Sequence, residues 1–263
     1  MAIITFMSDF GHRDHYVAAV KAKIFSINPN INVVDITHHI DHFNISHAAF
    51  VLRSVYKDFP KGTVHLVAVN SPVKEADKLM AFKFEDYYFV GVDNGLFSLL
   101  SDKPIMPVAV ELQRDAISGI FPERSVLAGA AVSLASGASI YNLGKQVEQM
   151  KLMLNRQLRI TKNQIVGHVI HVDHYGNLMT NISRDIIEEV RNNRQFTVAF
   201  GREMVDSIVT SYNSLDHGDV MALYNSNGFL EITLSLGNAA ELLGLGYDSA
   251  VTVSFVPDES IPR

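Results

Sequence analysis

The sequence predicts an α/β N-terminal domain, a mostly parallel sheet with flanking helices, joined to a smaller, mostly-β, barrel-like C-terminal domain. Two observations carry this. Strand and helix signals alternate along the first half of the chain. After about Met150 they give way to short β-branched runs separated by Gly, Asn and Asp. Lys, Gln and Asn dominate residues 150–163, which reads as a linker and sets the domains at 1–155 and 163–263. A chain of 263 residues, 48% hydrophobic and 19% charged, can bury a core and is neither disordered nor fibrous.

Ile3–Phe6 is an apolar run too short for a helix, followed by the polar, turn-rich Asp9–Asp14. Val17, Val20, Ile24 and Ile27 recur at helical spacing until Asn28-Pro29-Asn30 stops them. Ile31–Ile36 reads as a buried strand. Ile45, Ala48, Leu52 and Val55 mark a second helical face, with Asn44 as its N-cap. Val64–Val69 reads as a third strand after the Pro60-Lys61-Gly62 turn. Leu79–Phe84 and Tyr88–Val92 form a strand pair around Glu85-Asp86, with the turn Asp93-Asn94-Gly95 beyond. Pro107–Leu112 reads as a strand and Ser125–Ser136 as a small-residue helix. In the second half, Arg159–Val172, Phe196–Phe200, Val220–Tyr224 and Phe229–Leu234 read as strands, and Arg184–Arg191 and Ala239–Leu245 as helices.

Several function classes drop out on composition. A net charge of −6 lacks the basic face that broad nucleic-acid binding needs. The absence of cysteine removes disulfides, thiolate catalysis, Fe–S clusters and Cys-ligated zinc, and fits a reducing cytoplasm. The N-terminus lacks a signal-peptide pattern, and even the least polar window, Val126–Leu143, is interrupted by serines and glycine, so neither secretion nor membrane insertion is expected.

Candidate chemistry sits in the turns. Asp9, in Ser8-Asp9-Phe10-Gly11, follows the first strand, where open α/β sheets bind ligands; its carboxylate could accept from a ribose diol, or simply form a turn. An Asp-Phe-Gly string also occurs in protein kinases, but no glycine-rich nucleotide loop or His-Arg-Asp loop accompanies it. His38, His39, His42 and His47 cluster with Asp35 and Asp41, yet His38–His42 reads as loop, so packed or solvated imidazoles are expected rather than a metal site. Asp173-His174-Tyr175-Gly176-Asn177 could hold an amine and a heterocycle edge, or be a hairpin turn. Asn225-Ser226-Asn227-Gly228 is a turn, and Asn238–Ala240 opens a helix whose free N–H groups suit an acceptor or a plain cap.

Taken in order, these strings resemble the S-adenosyl-L-methionine (SAM) hydroxide adenosyltransferases, or SAM hydrolases, which are related to the SAM-dependent fluorinase and chlorinase. The matching segments are Ser8-Asp-Phe-Gly11 with Asp14-His-Tyr-Val17, Val34-Asp-Ile-Thr-His38, Gly62-Thr-Val-His65 and Asp93-Asn-Gly-Leu96. They continue with Asp173-His-Tyr-Gly-Asn177, Thr180-Asn-Ile182, Gly237-Asn-Ala-Ala240 and Leu243-Gly-Leu245. The resemblance implies attack of water or hydroxide at the ribose C5′ of SAM, releasing adenosine and methionine, with no cofactor or metal. It implies a homotrimer with sites between neighbouring subunits, and SAM or adenosine as the small-molecule partner. By residue match, Asp9 would hold the ribose hydroxyls, Asp173 the methionine ammonium and Ser226 the carboxylate. Asn177 would read the adenine, helped by backbone from Asn238 to Ala240.

The water-activating positions depart from the family pattern. The family has Asp, Arg and His there; this chain has Asn70, the pair Asp77-Lys78, and Pro122, with only Arg124 of the last string retained. A neutral amide is no base, and proline offers no side-chain donor or acceptor. Glu123 stands where the halogenating relatives place a small halide-contacting residue, so halogenation is not expected. Two expectations follow. Hydrolysis is weak, or rests on a water site rebuilt from Glu123 with Lys78 or Arg124. Alternatively, the protein is an inactive SAM or adenosine sensor or scaffold.

Overall fold

The computed structural model describes residues 3–71, 78–101, 108–113 and 120–256. The chain divides into two compact units, Met1–Asn155 and Arg156–Arg263.

The N-terminal unit contains β1 (Ile3–Ser8), α1 (Tyr16–Ile27), β2 (Asn32–Thr37), α2 (Ile45–Val55), β3 (Val64–Ala68), β4 (Leu79–Phe84), β5 (Tyr87–Val92), β6 (Val108–Leu112), α3 (Ala128–Ala135) and β7 (Gly144–Val147). Its sheet has the order β2-β1-β3-β5-β4-β6-β7. The first four of these are mutually parallel; β4 runs antiparallel between β5 and β6, and β7 closes the far edge antiparallel. Both faces are covered, as parallel strands require. On one face Ile4, Phe6, Leu66 and Val90 pack against α1 and α3. On the other, Met7, Val67 and Phe89 pack against Ala48, Ala49 and Leu52 of α2 and the 3-10 turn Leu96–Leu100.

The helical spacing places Val17, Val20 and Ile24 in the core. Asn44 caps α2 by accepting from the His47 N–H at 3.0 Å. Asn44→Ala should therefore cost about 1 kcal/mol of stability, read as a lower urea midpoint with an unchanged slope.

Three expectations need correction. The strand at Ile31–Ile36 is not buried: among the described residues β2 is an edge strand paired only with β1, and Val34 is 39% exposed. The helix expected over Ser125–Ser136 begins as a π-helical turn at Glu123–Leu127 before α3. No strand was expected at β7. Its Gly144 permits a close approach to β6, because a Cβ there would collide with the Glu111 carbonyl.

The C-terminal unit contains β8 (Arg159–Ile160), β9 (Gln164–Val172), β10 (Leu178–Ser183), α4 (Arg184–Arg191), β11 (Phe196–Phe200), β12 (Glu203–Val205), β13 (Ile208–Val209), β14 (Val220–Tyr224), β15 (Phe229–Leu234), α5 (Ala239–Leu243) and β16 (Ala250–Phe255). The strands follow the order β12-β11-β16-β9-β10-β15-β14-β13, with β8 beside β9. The sheet curls so that β12 meets β14, making a nearly closed barrel. Burial alternates along β9, β10, β11 and β16, the period-two signature of a sheet with one buried face. Ile165, Leu178, Val198, Ile232 and Val253 fill the interior. The expected helix at Ala239–Leu245 is two residues shorter because Gly244 leaves the helix with φ 64°. Among the described residues no helix is long and apolar enough to cross a membrane.

Candidate functional site

In the N-terminal unit the chemistry gathers where β1 and β3 end. Asp9 is 8% exposed. Its Oδ2 accepts from the Phe43 N–H at 3.0 Å and the Asn70 N–H at 3.1 Å. Phe43 and Asn70 both have left-handed backbones, with φ 63° and 49°. One carboxylate oxygen thus holds two loops in a conformation that non-glycine residues adopt at a cost. Among the described residues the other oxygen, Oδ1, accepts no hydrogen bond, which leaves it available to a hydroxyl donor.

Glu123 joins this group. It is 3% exposed at the start of the π-helical turn, and π-turns recur at functional sites. Burial pushes its carboxyl up from its ordinary value, and the negative charge of Asp9 adds to the shift. The nearby Ser71 hydroxyl acts in the opposite direction, although it meets no partner with full hydrogen-bond alignment. Phe10, Tyr16 and Phe121 form a ring cluster with centroids 5.5–5.9 Å apart that ties the Glu123 turn to the Asp9 loop.

The remaining water-site positions separate. Pro122 is buried as the N-cap of the turn. Arg124 is exposed, and its backbone N–H donates to the Phe121 carbonyl. Lys78 pairs with Glu111 at 3.4 Å and faces Asp93, whose carboxylate accepts twice from the Lys151 N–H. Neither cation therefore joins Glu123 here, in contrast to the rebuilt water site expected from Lys78 or Arg124. Asp77 and residues 72–74 of the expected loop lie outside the described residues.

The histidine loop is a loop, as expected, and His38 is its packed imidazole, fully buried. Its Nδ1 lies 2.7 Å from the Ser8 hydroxyl. Nothing local in the sequence signalled this pair, whose members are 30 residues apart. His65 serves structure instead. It bonds Thr5 at 2.7 Å among Tyr56, Tyr87 and Phe89, and burial pulls its pKa down to about 4.

In the C-terminal unit the Asp173–Asn177 turn is held by its own acid. Asp173 Oδ1 accepts from the Tyr175 and Asn177 N–H groups, and Oδ2 from the Asn177 amide, each at 2.9 Å. The Asn177 side-chain oxygen accepts from the Thr233 hydroxyl. An amide has two donors and two acceptor sites, so one of each remains, enough for an adenine edge. Asn238 and Ala240 are brought beside this turn, with the Ala240 N–H and the Asn238 side-chain oxygen engaged within the protein. The Ala240 N–H donates to the Gly176 carbonyl at 2.9 Å, and the Asn238 side chain caps α5 at the Glu241 N–H. Of the backbone expected to meet a ligand, the Ala240 N–H thus fixes the turn to α5.

Ser226 stands apart, lining a cavity of about 310 Å³ with Tyr212, Asn225 and Glu231. Glu231 was not anticipated. It is fully buried, accepts from the Tyr212 hydroxyl at 2.9 Å, and is pushed up by burial and by the charge of Asp173. The charge of Asp173 reaches Ser226's cavity at both Glu231 and Tyr212.

Comparison with known proteins places both units. The SAM hydroxide adenosyltransferase N-terminal domain matches residues 4–144, and the corresponding C-terminal domain matches residues 167–252. An (R)-S-adenosyl-L-methionine hydrolase from Methanocaldococcus jannaschii is 29% identical, with 96% of each chain covered. A protein of the same name from Thermus thermophilus is 31% identical, covering 93% of this chain and 96% of its own. The crystal structure of a conserved protein from Thermotoga maritima superposes with a TM-score of 0.88 at 29% identity, covering 95% of this chain and 99% of that one. With the family's two domains matched in order, one in each unit, the chain belongs to the SAM hydroxide adenosyltransferase family.

Proposed function

We propose that this protein binds SAM and hydrolyses it to adenosine and methionine, with Glu123 taking the proton from the attacking water. The observation that carries this reading is the buried Glu123 carboxyl beside Asp9, in a chain whose family position for a water-activating acid holds Asn70. The water oxygen bonds to C5′ as the C5′–S bond breaks. The bonding pair passes to the sulfonium sulfur, and methionine leaves as a neutral thioether. The proton passes from water to Glu123. The leaving group needs no acid, so the protein's tasks are alignment, exclusion of bulk water and removal of one proton.

In this reading Asp9 Oδ1 receives the ribose hydroxyls. Asn177 offers adenine its spare donor and acceptor. Asp173 takes the ammonium and Ser226 the carboxylate. A homotrimer whose neighbouring copies complete each site follows from the family resemblance, and analytical ultracentrifugation reads it directly. Halogenation is disfavoured, because a carboxylate at position 123 repels chloride and fluoride.

The test is incubation of the purified protein with SAM, following adenosine and methionine by chromatography. Equal amounts of both, rising with protein concentration, support the reading; the altered water site predicts turnover slower than in relatives with the Asp, Arg and His intact. SAM binding by calorimetry with no product assigns the protein to the sensor or scaffold class. Binding of neither SAM nor adenosine overturns the family reading of the site.

A further inference from the structure

We infer that His38, as a neutral Nε2–H tautomer, is the positioning residue that holds Asp9 for its ligand. This role rests on Asp9 binding an adenosyl ribose. His38 grips the Asp9 loop from both sides. Its Nδ1 lies 2.7 Å from the hydroxyl of Ser8, the residue before Asp9. Its carbonyl accepts from the N–H of Gly11, two residues after Asp9, at 2.8 Å. The Ser8 oxygen in turn accepts from the Phe10 N–H at 3.4 Å.

The tautomer follows from these contacts. Asp35 Oδ1, a carboxylate oxygen that can only accept, faces Nε2 though short of full hydrogen-bond alignment, while Nδ1 faces the hydroxyl of the fully buried Ser8. The proton on His38 therefore sits on Nε2, which lies 3.2 Å from Asp35 Oδ1. Asp35 is held in turn by Lys21 at 2.6 Å. The groups facing the imidazole are Asp35, Lys21 beyond it, the perpendicular His12 ring at 5.0 Å and the Phe6 ring at 4.6 Å. Burial, with His12 and Lys21, outweighs Asp35 and pulls the His38 pKa down.

Protonation would reverse the polarity of the chain. Nδ1 would become a donor, and the Ser8 hydroxyl hydrogen would lose its acceptor in a site closed to water. A buried, unpaired O–H is costly, and the relief is movement of the loop that presents Asp9. Ligand affinity should therefore fall as pH falls through the depressed His38 pKa and recover above it.

The experiment is adenosine binding by calorimetry between about pH 7.5 and about pH 5, where histidine titrates and adenosine does not. Wild type should weaken toward the acid end. His38→Leu should bind about tenfold more weakly at the upper pH, the scale on which outer partners of ligand-holding groups act. His38→Asn can offer Ser8 an acceptor at the Nδ1 position, so it should bind within about threefold of wild type. It should also bind with no loss toward acid. His12→Gln should keep the acid loss but move it toward higher pH, because the His12 charge is one of the groups that lower the His38 pKa. The role is overturned if His38→Leu binds like wild type, or if His38→Asn keeps the acid loss. Should His38→Leu not fold, Ser8→Ala replaces it, with the same expected weakening and the same contrary result. The nitrogen chemical shifts of His38 test the tautomer without any ligand, and an Nδ1–H form would sink it. Wild type that shows the Nε2–H tautomer but binds no adenosine would overturn the adenosyl reading, and the role of His38 with it.

Discussion

Glu123→Gln is expected to lower SAM hydrolysis by about a hundredfold or more, while adenosine affinity stays within about threefold. Glutamine keeps the size of the side chain and its place at the start of the π-helical turn, but it cannot take a proton. The loss should fall on kcat, because removal of the water proton belongs to the transition state and not to ligand binding. The pH dependence has a fixed sign. Burial and the charge of Asp9 raise the Glu123 pKa, so the basic form fades as pH falls through that raised value. Wild-type turnover should therefore drop on acidification, starting above the ordinary glutamate value of about 4.3. The residual rate of Glu123→Gln should lack that limb. Stability supplies an independent check. A carboxyl with a raised folded-state pKa costs stability once pH exceeds its unfolded value, so Glu123→Gln should be at least as stable as wild type near neutral pH. A variant that hydrolyses SAM at the wild-type rate would remove Glu123 from the reaction, and one that melts lower would contradict the raised Glu123 pKa.

The sequence announced the elements whose signals are local. Asn44 caps α2 through its own side chain, and the 3-4-3 spacing of Val17, Val20 and Ile24 is the helix face that packs. In the barrel, alternation along β9 and β11 is visible in the letters because one face of each strand is buried. What remained hidden depends on neighbours remote in the chain. The apolar residues Val33, Val34 and Ile36 of β2 suit an interior strand; the sheet order shows it at an edge. Phe43 carries no hint of a left-handed backbone, which it holds because Asp9 accepts its N–H across 34 residues. The site was half legible. Asp9, Asp173 and Asn177 stood out as turn residues at strand ends, but a turn carboxylate that binds itself and one that binds a ligand look alike in a sequence. Asp173 does the first throughout its turn, and Asp9 Oδ1 is left open for the second. Ser8 with His38, and Asn177 with Thr233, are pairs made only by folding, 30 and 56 residues apart.

Gly176→Ala should destabilise the C-terminal barrel by about 2–5 kcal/mol and abolish SAM binding through the Asp173 turn. Gly176 has φ 84°, a conformation costing an alanine roughly 1–2 kcal/mol. The added Cβ would also fall well inside contact distance of Asn238 Oδ1, the atom that caps α5 at the Glu241 N–H. Relief requires moving either the cap or the turn. Moving the turn breaks the bond from the Ala240 N–H to the Gly176 carbonyl and swings Asn177, with the Asp173 it donates to, away from Thr233. The overpacking adds about 1–3 kcal/mol to the backbone cost. Gly228→Ala separates the two contributions. Its φ of 76° imposes the same kind of backbone strain, but nothing lies within 4 Å of an added Cβ. It should cost only the strain, roughly 1–2 kcal/mol. Urea unfolding of the two variants, with SAM affinity measured below their transitions, reads both quantities. Equal losses in the two would mean that backbone conformation alone fixes the turn. A stable Gly176→Ala that still binds SAM would show that the packing of the turn on α5 is dispensable for ligand binding. The junction matters because it is where the hydrogen bonds of one short turn, one helix cap and one buried threonine converge on the two side chains assigned to ammonium and adenine.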